Sequence, residues 1–520
     1  MTKQMILSGG FKFYDPYFYS FMLIQKNSKD LYADYVQQMR RIADLRYTNA
    51  ILQWDQETYL PKKGAALRGQ QSATISELAH EFFTSVAMGE LLEELSGRTD
   101  LDPFARRNIE LSRYDYKKSA KLPASFVRNM SEQVTKSYHA WVDARGKNSF
   151  TVFQPELEQL IALKKQEVDL LGYEKHPYNA LLNDYEKGSN VQWLDGVFGK
   201  LLQPLKSLLD EVLFKQADVA DPLSQYFPKD KQWAFCNDLL KRMGFDFDLG
   251  RQDLSEHPFT TSFSSQDVRI TTRINENNLG YMTWSTLHEL GHAWYEQGLP
   301  ADQYGLPLGE ACSLSIHESQ SRLWENCLGR SLSFCEWLLP VIAEHFPEQM
   351  KNVTAAQLHQ SLNFVMPSLI RTEADELTYH FHVMIRYEIE KQLMAGDLLV
   401  KDIRILWNEL YFKYLGVTVP DDKQGCIQDI HWSHGSFGYF PTYSLGSLYA
   451  VQLFYGIQGG IKELEGDVRS GNFEPALNWL RNSVHTKGRL MESDELCTAV
   501  CGKGLDSEMF IGYARGKFLP

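Results

Sequence analysis

The sequence is poor in cysteine, in strand-forming segments, in long apolar runs and in positive charge, and each shortage excludes something. Seven cysteines are scattered over 520 residues with no paired framework, which argues against a disulfide-built scaffold and fits a reducing compartment. Cys497 and Cys501 lie four apart without a second pair to complete a zinc site, and read as small packing residues. No run approaches the ~18 apolar residues of a membrane helix. The N-terminal "MTKQMILSGGFKFYDPYFYSF" is broken by Gly, Lys, Asp and Pro and lacks a clean apolar segment with a small-residue cleavage site. Lys and Arg number 53 against 66 Asp and Glu, a net charge of −13. Nucleic acid demands a basic face, as does an anionic membrane surface, so neither is an expected partner. A cytoplasmic location is the expectation.

What is there is helical periodicity. "ELEQLIALKKQEVDLLG" (156–172) spaces its leucines at threes and fours with charges opposite. The same texture recurs at 31–54, 193–217, 228–243, 281–297, 310–328, 368–393, 400–415 and 443–457. The best strand is "QDVRITTRIN" (266–275), where Val268, Ile270 and Thr272 alternate with Arg269, Thr271 and Arg273. One small sheet near the 288–292 segment is expected, within a mostly α chain that no repeat or linker divides.

"TWSTLHELGHAWYEQGL" (283–299) carries the chemistry. His288 and His292, four apart on a helix, share a face with Cβ atoms ~5–6 Å apart, so both imidazoles can converge on one zinc ion. Glu289 points about 100° around the helix, beside the metal, where a carboxylate can take a proton from water and pass it to a leaving amine. Gly291 keeps that helix face slim, and Trp284, Leu287, Leu290 and Trp294 supply the packing. A catalytic metal needs a third protein ligand. The segment 309–329 offers Glu310, His317, Glu318 and Glu325, and spacing does not choose among them; Glu318 also reads as an i,i+4 partner of Arg322.

These motifs stand with others in one order. "ILQWDQETYLPKKGAALRGQQSATISELAHE" (51–81) is followed by "HPF" (257–259), then by Asp267, Arg269 and Thr271 as D-x-R-x-T. After H-E-x-x-H come "HESQSR" (317–322), "IRTEAD" (370–375) and "GCIQDIHW" (425–432). In this the chain resembles the M32 zinc metallocarboxypeptidases, the Thermus carboxypeptidase family, from about residue 35 to the end. The resemblance implies a single large helical domain, 31–520, with a deep active-site groove and one small sheet, similar to neurolysin and angiotensin-converting enzyme. Residues 1–30 fall outside it as an N-terminal extension or an overlong gene start. It selects Glu318 as third ligand and Glu289 as general base. It implies release of single residues from the free C-terminus of peptides with broad preference, one zinc ion per chain with cobalt as an alternative, and a homodimer.

The remaining candidates follow from what such a reaction needs. A terminal carboxylate suits the planar fork of an arginine; Arg371, Arg269 and Arg273 are candidates, although Arg371 also reads as a local partner of Glu373 and Asp375. The family likeness also implies that the strand at 266–274 is an edge strand able to pair with extended substrate. Charge developing on the carbonyl oxygen needs donors, and "DIHWSHGSFGYFPTYSLG" (429–446) supplies His431, His434, Tyr439 and Tyr443, of which likeness to neurolysin favours His431 and Tyr443. His257, ahead of Pro258, is in extended chain and is a candidate pocket residue, as is Tyr439. Asp375 is a candidate second partner for a ligand histidine. Asp55 and Glu57 read as helix-end or interhelix partners. The rivals are a zinc oligopeptidase or dipeptidyl carboxypeptidase on the same scaffold, and a helical binding scaffold without metal.

Overall fold

The computed structural model describes residues 26–519; most of the 1–30 extension lies outside them. Helices follow one another from Ser28 to Phe518, interrupted by one three-stranded sheet. Five helices matter for the site: α1 (Ser28–Thr58), α2 (Leu279–Gly298), α3 (Leu314–Arg322), α4 (Tyr379–Ala395) and α5 (Pro441–Gly460). Among the described residues, buried apolar side chains form two clusters. The smaller joins Leu31, Tyr35, Met39 and Ile42 of α1 to Leu91, Leu92 and Leu95, and the larger takes in α2 to α5 and the sheet.

α2 starts where Asn278 accepts a hydrogen bond from the Tyr281 amide at 2.9 Å, satisfying an amide that has no partner inside the helix. Leu287, Leu290, Ala293 and Trp294 are fully buried, so the helix is held by packing; burying a leucine completely contributes about 1.5–3 kcal/mol. The sheet has the order β1–β3–β2, with β1 (Gly250–Leu254) parallel and β2 (Thr260–Ser264) antiparallel to β3 (Asp267–Thr272). Alternate side chains of a strand share a face. In β3, Val268 and Ile270 are buried. In β2, Thr260 and Ser262 both bond to residues of α2, whereas Phe263 meets Arg269, whose guanidinium lies 4.4 Å from the Trp54 ring of α1. The sheet is thus sandwiched between α1 and α2; β3 is paired on both sides, so the 266–274 strand cannot take up an extended substrate as expected, and β2 is an edge that can.

Two glycines bring the helices together. A Cβ at Gly291 would lie 2.6 Å from the Gln320 carbonyl oxygen, so α2 and α3 touch through backbone there. A Cβ at Gly446 would lie 2.5 Å from Glu318 Cγ, so α5 closes on the other side of α3.

Several expectations need correction. The 310–328 helix begins only at Leu314, because Ser313 caps it by accepting from the Ile316 amide at 3.1 Å. It then widens into a π turn over Leu323–Leu328, where the Gly329 amide reaches back to the Trp324 carbonyl. The 368–393 helix is in fact a 3-10 turn at Arg371–Glu373 followed by α4 from Tyr379. Asp375 lies between them and accepts from the amides of Met366, Leu377 and Thr378 and the Thr378 hydroxyl. It organises that turn and does not support a ligand histidine. Asp55 is an interhelix partner as expected, pairing with Arg68 at 2.7 Å.

Candidate metal centre and active site

The Nε2 atoms of His288 and His292 stand 3.7 and 3.5 Å from one Glu318 carboxylate oxygen. One ligand atom from each of the three residues lies within 4.8 Å of the others. His288 and His292 come from adjacent turns of α2, and Glu318 comes from α3, placed by the backbone contact at Gly291 and the slot at Gly446. Of the four candidates for a third ligand, geometry brings Glu318 to the histidines. Two others stand one layer out. Glu325 Oε2 is 2.8 Å from His288 Nδ1, and His317 Nδ1 is 2.6 Å from His292 Nδ1. Glu310 pairs with Arg489 at 2.8 Å.

The outer contacts orient the rings, since a histidine whose Nδ1 is engaged presents Nε2 inward. His317 is itself held through Nε2 by Glu296 at 2.7 Å, and Glu296 accepts from the Ser262 hydroxyl at 2.7 Å. Arg322 donates to Glu318 at 2.7 Å and to Glu325 at 3.2 Å. The i,i+4 pairing of Glu318 with Arg322 is therefore real and coexists with the ligand geometry: Arg322 takes Oε1, while Oε2 faces the histidines.

The charges suit a cation. Burial alone would depress the pKa of His288, but the carboxylates of Glu318 and Glu325 outweigh it and raise the pKa to about 9, so a metal on Nε2 would displace a proton there. Burial and neighbouring His317 lower His292 to about 4, keeping it neutral as a ligand must be. Burial would lift Glu318, but Arg322 and His288 hold it well below the usual carboxylate range. The donor set, two imidazoles and one carboxylate with both rings braced from behind, fits a divalent metal of the zinc type.

Glu289 is buried beside this group, and the Thr260 hydroxyl donates to its Oε2 at 2.6 Å. Burial raises its pKa, while His288 and Thr260 act in the opposite direction. It faces β2, about 100° around the helix from His288, as the H-E-x-x-H spacing predicts.

On the Glu318 side of the centre stand the residues of the 429–446 segment. His431 Nε2 lies 3.0 Å from the Tyr443 hydroxyl, so the two favoured donors are already joined. Burial and the nearby Arg371 charge lower His431 to about 3, and burial raises Tyr443 well above its ordinary value. Both are neutral near pH 7, and Tyr443 keeps its proton. Tyr443 lies one helical turn before Gly446, which packs on Glu318. Tyr439 packs edge-on against Tyr443, with centroids 5.1 Å apart, and against Tyr185. His434 is exposed and stacks near Tyr138.

The arginines are more committed than their sequence context implies. Arg371 Nε donates to Asp429 Oδ1 at 2.9 Å, Nη1 donates to the Tyr379 hydroxyl at 2.9 Å, and the guanidinium lies 4.8 Å from the Tyr443 ring centroid. Its partner is Asp429, not Glu373 or Asp375. Asp429 also pairs with the fully buried Arg386 at 2.6 Å. Arg322 lies over the Tyr379 ring at 4.4 Å, so a continuous chain of contacts links Glu318 to Asp429. Arg269 grips Asp267 with two bonds of 2.9 Å. Arg273 is exposed and donates to the Glu256 carbonyl at 3.4 Å. His257 is exposed in the link before β2, its carbonyl accepting from Ser255.

Sequence reasoning missed Thr260, Glu296, Asp429, Arg386 and Glu390. The last is a fully buried carboxylate on α4 that accepts from Trp432 Nε1, the Gly438 amide and the Tyr178 hydroxyl at 2.8, 2.8 and 2.5 Å, anchoring both ends of the loop that carries His431 and Tyr439. Asp429 lies inside "GCIQDIHW", Glu296 inside the 283–299 stretch, and Arg386 and Glu390 inside the 368–393 helical segment, but only their long-range partners mark them out; Thr260 lies outside every segment singled out.

The family model for carboxypeptidase Taq (M32) metallopeptidases matches residues 34–518. Thermostable carboxypeptidase 1 of Thermus thermophilus is 37% identical over 502 residues, spanning 94% of this chain and 98% of the relative. Among solved structures, an M32 carboxypeptidase from Deinococcus radiodurans R1 superposes with a TM-score of 0.91 at 37% identity, covering 94% of this chain and 99% of the other. A structure described as that of CHT has the same TM-score and coverage at 55% identity.

Proposed function

This chain belongs to the carboxypeptidase Taq (M32) metallopeptidase family, a family of peptide hydrolases, and from that premise we propose that it releases single residues from the free C-terminus of peptides with broad preference. The observation that carries the reading is the convergence of His288, His292 and Glu318 beside the buried carboxylate of Glu289. A divalent metal held by those three residues, zinc or cobalt, one per chain, would supply a Lewis acid that polarises water and the scissile carbonyl. Glu289 takes the proton of the attacking water and delivers it to the departing amine. Thr260 holds that carboxylate in place. Tyr443, paired with His431, donates to the oxygen on which charge develops, and Tyr439 lines the same wall.

The terminal carboxylate is assigned to Arg371. With Nε on Asp429 and Nη1 on Tyr379, Nη2 is the nitrogen left for the peptide, so recognition is a single charged contact and not a full fork. Arg269, locked to Asp267 and stacked on Trp54, acts by holding β3, and His257 lies on the approach to β2. The chain is proposed to work as a homodimer in the cytoplasm; no helix among the described residues is long and apolar enough to cross a membrane.

A mass-spectrometric ladder tests the reaction. Two peptides of one sequence, one with a free C-terminus and one amidated, are incubated with the metal-loaded protein. Losses of one residue at a time, from the free-ended peptide alone, are expected. Losses of two residues or internal cuts would replace this reading with a dipeptidyl carboxypeptidase or an oligopeptidase.

A further inference from the structure

A cavity of about 320 Å³ lies at the β2 edge of the sheet, lined among others by Tyr47, Phe263, Glu296, Leu299 and Tyr304, with Ser262 between it and the metal centre. It shares a wall with the active site: Glu296 is both a lining residue and the brace behind His317 and His292. α2 rises ~1.5 Å per residue, so Glu296 stands roughly 10 Å along the helix from Glu289. β2 runs the same way, with Thr260 bonded to Glu289 and Ser262 to Glu296.

That separation decides which part of a substrate can reach the cavity. One residue of extended chain spans about 3.3–3.6 Å, so a single residue leaving from the scissile bond stays well short of Glu296. The retained part of the peptide, running extended beside an edge strand, arrives there two to three residues upstream of the bond. The lining then sets the side chain. Tyr47 and Tyr304 stand with ring centroids 5.5 Å apart, tilted by 30°. Among the described residues, Glu296 is the one charged residue lining the cavity, and no lysine, arginine or histidine lines it. Burial and the carboxylates of Glu310 and Glu296 raise the pKa of Tyr47 and outweigh the opposing charge of Arg46, and the Tyr304 hydroxyl bonds to Asp44 at 2.9 Å. The space is aromatic and sits in a negative field, which favours a long cationic side chain whose stem lies on Phe263 and Leu299 and whose head lies over tyrosine rings.

We propose that this cavity is a subsite for an arginine or lysine side chain two or three residues upstream of the bond being cut. The inference rests on the carboxypeptidase reading above and adds a preference that the metal centre does not impose.

The experiment uses short peptides with a common C-terminal alanine and with arginine, alanine or glutamate at the second or third residue before the scissile bond. Specificity is read as kcat/KM. Arginine is expected to exceed alanine about tenfold at one of the two positions, with glutamate below alanine. The exposed rim residue Gln266 offers a change that does not burden the core: Gln266→Lys is expected to cut the arginine-to-glutamate ratio about tenfold, and Tyr47→Leu to cut the arginine-to-alanine ratio. Equal kcat/KM for all three residues at both positions, or ratios unmoved in both variants, would overturn the subsite while leaving the carboxypeptidase reading intact. Failure to cleave any of the peptides would overturn both.

Discussion

Glu289→Gln keeps its metal and loses at least ~10³-fold in kcat/KM. Glutamine matches glutamate in shape, and its carbonyl oxygen can still accept from the Thr260 hydroxyl that bonds to Oε2 at 2.6 Å. The ligand atoms are untouched, and His288 and His292 remain braced by Glu325 and His317. What is lost is the ability to carry a proton. A positioned acid or base contributes typically 10²–10⁴-fold, and Glu289 is asked to serve as base in the attack and as acid in the departure, so the upper part of that range applies. Metal content by atomic emission, measured beside steady-state kinetics, checks both halves. Turnover within tenfold of the parent protein would remove Glu289 from the chemistry, and loss of metal would make it a structural support of the site.

The second large effect concerns stability. Arg371→Met is expected to destabilise the fold by about 3–5 kcal/mol, the range for breaking one partner out of a buried ion pair. Arg371 and Asp429 are both nearly sequestered, with side chains 7% and 12% exposed. Removing the guanidinium leaves Asp429 with Arg386 alone and leaves the Tyr379 hydroxyl without its donor. Arg371→Lys keeps the charge but cannot reach Asp429 and Tyr379 with one planar group, so a smaller loss is expected. Chemical denaturation at fixed metal concentration measures this. An unfolding free energy for Arg371→Met within about 0.5 kcal/mol of the parent would mean that Arg386 alone neutralises Asp429. The kinetic companion is KM: a residue that reads the terminal carboxylate raises KM for free-ended peptides in the lysine variant, where most of the fold is preserved.

The contrast between the two residues reflects what a sequence can carry. His288, Glu289 and His292 are legible because their relation is set by one helix, and four-residue spacing puts two rings on one face wherever that helix sits. The choice of Glu318 over Glu325 and His317 is not local. It depends on how α3 crosses α2 and α5, which is decided by backbone contacts at Gly291 and Gly446 that no periodicity reveals. Both discarded candidates nevertheless stayed within the centre, one layer out, because a π turn and a helix face carry them to the backs of the ligand histidines. β3 is legible from its alternation, whereas β1 and β2, at five residues each, are too short and too polar to stand out. The partner of Arg371 is hidden for the same reason. Its true partner, Asp429, is 58 residues away in sequence, while Glu373 and Asp375 were merely near.

Gly291 and Gly446 also bear on how this protein can be made more robust. Replacing a helical glycine with alanine is a common stabilising change, worth roughly 0.5–1 kcal/mol in a helix interior. The helix Val191–Lys215 contains two candidates, Gly196 and Gly199, at which an added methyl group meets nothing within 4 Å. The same substitution at 291 or 446 would drive a methyl into the Gln320 carbonyl or into Glu318 itself, and the propensity gain would be spent on forcing apart the two helices that aim the carboxylate at the histidines. A thermostability scan that treats helical glycines as equivalent would therefore harden the scaffold at one pair of positions and blunt its cutting edge at the other.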